Sequence, residues 1–256
     1  MDTYVYIDGF NLYYGSLKRT PYKWLNLVAL MRQVLPQNYN ILRIKYFTAH
    51  VLGAEDPDSP NRQNAYIRAL NTLPEVEIFW GSFLAKNFWR PILNLPVAGA
   101  QIHTPPNPVT MPPGSHAVAL PNGTAQVLPV GTYPPRGVKR PKKVRQPVKD
   151  AMRCYVHAME EKGSDVNLAV HLLNDAWNNA FQAAVVVSND TDLLTPIEMV
   201  ARERGKHVAV VCPDRTRAAS PKLVAVASSV RHLRPSMLAA AQFPAVMGTI
   251  RKPANW

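Results

Sequence analysis

Two short polar segments hold the residue types that could do chemistry. Asp8, Gly9, Phe10 and Asn11 directly follow one apolar run, and Ser188, Asn189, Asp190, Thr191 and Asp192 directly follow another. In open parallel α/β sheets, ligands bind beyond the carboxyl ends of the strands. If both runs are strands of one such sheet, their acids reach the same edge although they lie far apart in the chain. Converging carboxylates repel each other unless a cation holds them. Hard oxygen ligands suit Mg2+ or Mn2+, which keep several waters and meet substrates through phosphates. Such a centre can activate water, offset charge on a phosphate and stabilise a leaving oxygen. Plainer roles exist for each acid. An Asp-Gly pair after a strand is a common turn, and Thr191 or Asp192 can cap the helix that follows. Capping accounts for one of the two carboxylates Asp190 and Asp192, not for both.

Charge narrows the partner. The chain of 256 residues has 29 Lys and Arg against 17 Asp and Glu, a formal net charge of +12. Such an excess favours a polyanion, through attraction to phosphates and counterion release, although a merely soluble basic protein has the same composition. An acidic pocket inside a basic protein points to phosphodiester hydrolysis, with the surface gathering the strand and the pocket cutting it. The two cysteines, Cys154 and Cys212, are too few and too distant for a zinc site or a disulfide framework. Cys212 ends an apolar run and reads as a small buried hydrophobe. No apolar run reaches the ~20 residues that span a bilayer, and the N-terminus has no leader-like pattern. The expected compartment is the cytoplasm.

The elements that must position these acids alternate. Tyr4 to Ile7, Ile41 to Phe47, Val76 to Trp80, Ala183 to Val187 and His207 to Val211 read as strands. Helices are expected over 24–35, Pro60 to Leu73, Asp150 to Glu161, Ser164 to Asn178 and Leu193 to Arg204. In the fourth, Val166, Ala169, Val170, Leu173 and Ala176 repeat at helical spacing. Short apolar strands between helices indicate a parallel sheet covered on both faces. Residues 91–147 break the pattern, with more than half of the 24 prolines and no Asp or Glu. They read as a Pro-rich insertion, with a hairpin turning at Pro121 to Gly123. The insertion ends in a basic run of Arg136, Lys139, Arg140, Lys142, Lys143 and Arg145, suited to tracking a nucleic-acid backbone or to lying solvated as a loop. Phe88, Trp89 and Tyr133 flank it and could stack on bases, though core packing suits Phe88 and Trp89 as well. Residues 221–256 read as a C-terminal extension with a few apolar stretches and a loosely held Pro-rich end.

The segments Tyr6 to Asn11 and Val187 to Leu193 resemble the NYN-domain family, relatives of the PIN-domain ribonucleases. Glu161 to Val166 is similar to that family's Lys-Gly-x-Asp segment opening a helix. The resemblance covers about residues 3–90 and 148–212. It implies a PIN-like α/β/α sandwich with a mostly parallel central sheet, occupying residues 1–220 around the insertion at 91–147. It implies Asp8, Asp165, Asp190 and Asp192 around a divalent Mg2+ or Mn2+, supported by Asn11, Ser188 and Asn189, with Lys162 on a phosphate. Asp165 taken alone reads as an acid favoured by the helix macrodipole. Where many members carry another acid six residues after the helix-opening Asp, this chain has His171.

The expected function is therefore a metal-dependent ribonuclease that hydrolyses RNA, most readily single-stranded, by a metal-activated water in an Asp cluster. The competing expectation is an RNA-binding or scaffold protein of the same family with weak or no catalysis, and His171 leans that way. The insertion could also meet a second subunit or a protein partner; no membrane association is expected. A haloacid dehalogenase-type phosphatase requires a second Asp two residues after the first, where Phe10 stands.

Overall fold

The computed structural model describes residues 1–51, 53, 56–91, 116–119, 125–128, 153–214 and 217–254. The basic run from Arg136 to Arg145, and Tyr133, lie outside them.

Strand β1 (Asp2–Asp8) leads into the short helix α1 (Gly9–Leu12), which continues as a wider turn over Tyr13–Leu17. Helix α2 (Leu27–Val34) is capped by the Asn26 side chain, which accepts from the Ala29 amide. Strand β2 (Asn40–Ala49), helix α3 (Ser59–Leu70) and strand β3 (Val76–Pro91) follow. After the β4–β5 hairpin (His116–Ala119, Ala125–Leu128) come β6 (Arg153–Lys162) and α4 (Ser164–Trp177). The chain then forms β7 (Ala183–Val187), a single 3-10 turn at Thr191–Leu193, α5 (Leu194–Glu198) and β8 (His207–Cys212). Helix α6 (Pro221–Val226), strand β9 (Ser229–His232) and helix α7 (Pro235–Ala240) precede a small hairpin, β10–β11 (Val246–Met247, Ile250–Arg251).

The main sheet has the order β6-β3-β2-β1-β7-β8-β9, and the six strands from β3 to β9 run parallel. Its middle is fully covered, which is why β7 is an unbroken run of Ala and Val with every residue buried. Alternation along the strands divides the core in two. Val5, Ile7, Val185 and Val187 pack with α2, α3 and α7 on one face. Tyr6, Ala184 and Val186 pack with α4, α5 and α6 on the other. This is the expected three-layer α/β/α architecture with a mostly parallel sheet.

Contacts divide the chain into two compact units: residues 1–51, 58–82 and 161–256, and residues 52–57 and 83–160. The first holds both acidic segments. The second holds the β4–β5 hairpin at the place expected for it, with the outer parts of β3 and β6.

Three expectations are corrected. Residues 153–162 form a strand and not a helix, because Cys154, Val156 and Ala158 also alternate with period two, and the free edge of the long β3 selects that reading. The extension after 221 is not separate from the domain: β9 pairs with β8, Trp24 packs edge-on to Phe243, and the Trp24 indole donates to the Pro244 carbonyl at 2.8 Å. Finally, α4 buries Leu168, Leu172, Asp175 and Ala176 and leaves Val166 and Val170 exposed, so its inner face is turned from the one that the valines suggested.

Candidate metal and nucleic-acid site

Asp8 is the last residue of β1 and the N-cap of α1. One carboxylate oxygen, Oδ1, accepts from the Asn11 amide at 2.9 Å. The other, Oδ2, accepts from the Asn11 side chain at 2.7 Å and from the Ser188 hydroxyl at 3.0 Å. Gly9 is required here for closeness rather than for a turn. A Cβ on it would stand 2.7 Å from the Phe47 carbonyl oxygen and 2.8 Å from the Tyr46 ring, so α1 can start against β2 only without a side chain.

The second segment is built around Ser188, which is buried at the end of β7. Its hydroxyl oxygen also accepts from the Asp190 amide at 3.1 Å. Asp190 caps the 3-10 turn by accepting from the Asp192 amide at 3.0 Å. The cap is therefore Asp190, not Thr191 or Asp192, and Asp192 is exposed in the first turn. Asn189 braces neighbouring backbone: its amide donates to Asn11 Oδ1, its Nδ2 to the Ala218 carbonyl, and its Oδ1 accepts from the Ser220 amide at 2.8 Å.

Burial pushes the Asp8 carboxyl above the usual carboxylate range; hydrogen bonds from Asn11 and Ser188 oppose this, and the charge of Asp190 adds to it. Two repelling acids at the mouth of a parallel sheet are a place where a cation would be favoured. The structure nevertheless restricts the donor set. Among the described residues no three His, Cys, Asp or Glu side chains group closely enough to hold a metal ion, so Asp8, Asp165, Asp190 and Asp192 do not form a preassembled cage. Asp8 and Asp190 suit a magnesium-like ion, which commonly takes one or two carboxylates and keeps its waters.

Asp165 stands in the first turn of α4, after Gly163 at φ 97°. That helix start is held beside β3, with the Asn167 side chain donating to the Trp80 carbonyl at 3.3 Å. That bond sets the start of α4 beside the end of the β3 segment that pairs with β2. Lys162 is exposed at the end of β6.

A polar cluster that the sequence reading missed lies under α4. The buried Lys45 ammonium donates to Asp175 Oδ2 at 2.6 Å, and the Tyr6 hydroxyl donates to the same oxygen at 2.7 Å. His171 belongs to this cluster: its Nδ1 is 3.4 Å from Lys45 Nζ and its ring lies 4.1 Å from that of Phe79. Burial and then the Lys45 charge hold its pKa below the ordinary histidine value. The only sequence signal was a lysine and an aspartate at positions that also suit a strand and a helix core.

Comparison with known proteins agrees with the sequence motifs. The NYN domain family matches residues 141–234, a span that includes Lys162, Asp165 and Ser188 to Asp192 but not Asp8. The chain is also 29% identical, over 99% of its length and 75% of the relative's, to the 6-hydroxy-3-succinoylpyridine 3-monooxygenase HspA of Pseudomonas putida (strain DSM 28022 / S16). A crystal structure of a protein of unknown function from Vibrio parahaemolyticus RIMD 2210633 aligns with a TM-score of 0.46 at 14% identity, covering 91% of this chain and 93% of that one. The match over residues 141–234 is to the family that the motifs resemble, and for that segment it points to a PIN-like nuclease superfamily.

Proposed function

We propose that this protein is a divalent-metal-dependent ribonuclease that hydrolyses single-stranded RNA at the edge formed by Asp8 and Asp190. The observation that carries the reading is the Ser188 bridge, which ties the buried Asp8 to the segment of Asp190 while their charges repel. Asp8 and Asp190 would hold Mg2+ or Mn2+. Such an ion supplies positive charge against the scissile phosphate and its leaving oxygen. Asn11 and Ser188 fix the orientation of the Asp8 carboxylate. The exposed Asp192 takes a proton from the attacking water. Lys162, exposed at the end of β6, meets a phosphate of the strand. The net charge of +12 gathers the polyanion, and Arg136, Lys139, Arg140, Lys142, Lys143 and Arg145 contribute to that charge.

The test compares the wild type with Asp190→Asn on labelled single-stranded RNA in Mn2+, Mg2+ or EDTA. Metal-dependent cleavage lost in the variant supports the nuclease. Salt-sensitive binding without cleavage supports an RNA-binding role instead. A second reading, oxygenation of a hydroxypyridine, is favoured by the similarity to the monooxygenase over nearly the whole chain. Turnover of 6-hydroxy-3-succinoylpyridine with dioxygen and a reductant, unaffected by Asp190→Asn, would support it over the nuclease.

A further inference from the structure

An open cleft of about 390 Å³ lies between the turn after α1 and the loop after β8. Lys18, Arg19 and Arg217 line it with one acid, Asp214, together with Tyr14 and Ser16. Both walls are joined to the acidic edge. The first begins at Asp8 through α1, and the second is held by Asn189, which bonds the Ala218 carbonyl and the Ser220 amide. The walls also hold each other: the Ser16 hydroxyl donates to the Pro213 carbonyl, and a Cβ at Gly15 would stand 3.0 Å from that oxygen.

Two features suit an anionic strand. Arg19 is a non-glycine residue at φ 62°, a left-handed conformation that costs folding energy and tends to persist where function needs it. Its guanidinium is exposed and forms no ion pair with a carboxylate among the described residues. Tyr14, 62% exposed, stacks on Phe10 and lies 4.7 Å from the Lys18 ammonium. Cations beside an exposed aromatic face are the combination by which single strands are held without reading sequence. Asp214 does not reverse the balance, because it is engaged with Arg217 through the Arg217 amide at 3.1 Å and the guanidinium at 3.5 Å.

We infer that this cleft is a subsite for a non-reacting phosphate of the polynucleotide, held by Arg19, Arg217 and Lys18, with the adjoining base on Tyr14. The inference rests on the proposed polynucleotide substrate but not on cleavage.

The probe is a fluorescein-labelled decauridylate, with or without a 5′-phosphate, bound in EDTA over a salt series and followed by anisotropy. The Arg19→Gly/Arg217→Gln variant is expected to bind about tenfold more weakly, and its salt slope to fall by up to about 0.7, the value for one phosphate on a single strand. Arg19→Gly alone is expected to melt no lower than the wild type, since glycine adopts positive φ freely, so weaker binding is not unfolding. A loss seen only with the 5′-phosphorylated probe places a terminal phosphate in the cleft, and an equal loss with both places an internal one. Unchanged affinity and slope in the double variant overturns the subsite, as does a wild type that binds neither probe. A wild type that binds as expected yet cuts nothing in Mn2+ overturns the nuclease reading and leaves the subsite standing.

Discussion

The Ser188 hydroxyl donates to the Asp8 carboxylate at 3.0 Å, joining two residues 180 positions apart at the ends of adjacent parallel strands. The same oxygen accepts the Asp190 amide, so one side chain sets the spacing of both acids. Ser188→Ala should cost about 1.5–3 kcal/mol, since a hydrogen bond to a charged group is lost inside the fold. It also removes an interaction that lowers the Asp8 pKa. The acidic limb of RNA cleavage should therefore move to higher pH, with thermal melts separating the stability loss from the shift.

The Asp8 carboxyl titrates above its ordinary range because it is buried. A carboxyl whose folded pKa is raised is easiest to bury while protonated. Its contribution is fully present below the unfolded pKa of about 3.9, and is lost as pH rises through the folded value. The melting temperature of Asp8→Asn relative to wild type should consequently increase from about pH 4 toward neutrality, whatever constant offset the lost hydrogen bonds impose. Added Mn2+ should reverse the trend at neutral pH by stabilising only the wild type. A pH-independent difference between the two proteins would contradict the assignment.

Gly9→Ala places a methyl group against the Phe47 carbonyl and the Tyr46 ring. Backbone oxygen cannot rotate away, so α1 must shift and carry the Asp8 cap with it. A loss of about 1–3 kcal/mol is expected from the overpacking. Denaturant titration measures it, and cleavage should fall further than the unfolded fraction explains.

Asp175→Ala leaves Lys45 buried without its partner and removes the acceptor of the Tyr6 hydroxyl. Breaking a buried pair from one side typically costs about 3–5 kcal/mol. The double variant Lys45→Met/Asp175→Asn should recover most of it, because the amide oxygen still receives Tyr6 and no charge remains. A double variant as unstable as Asp175→Ala would show that the ion pair itself holds α4 on the sheet.

The sequence by itself determined what depends on neighbours in the chain. Unbroken apolar runs can only be covered strands, and the residues after them must stand at the sheet edge, so Asp8, Asn11, Ser188 and Asp190 were legible. The β4–β5 hairpin was legible from its turn for the same reason. Tertiary structure decided what depends on partners distant in sequence. Residues 153–162 became a strand once β3 offered an edge, and the C-terminal segment was fixed by Trp24 and Phe243. The direction of α4 followed Asp175, whose partners Tyr6 and Lys45 lie 169 and 130 positions away. An amphipathic pattern prices valine as buried and aspartate as exposed, whereas a buried ion pair with a tyrosine donor reverses that order.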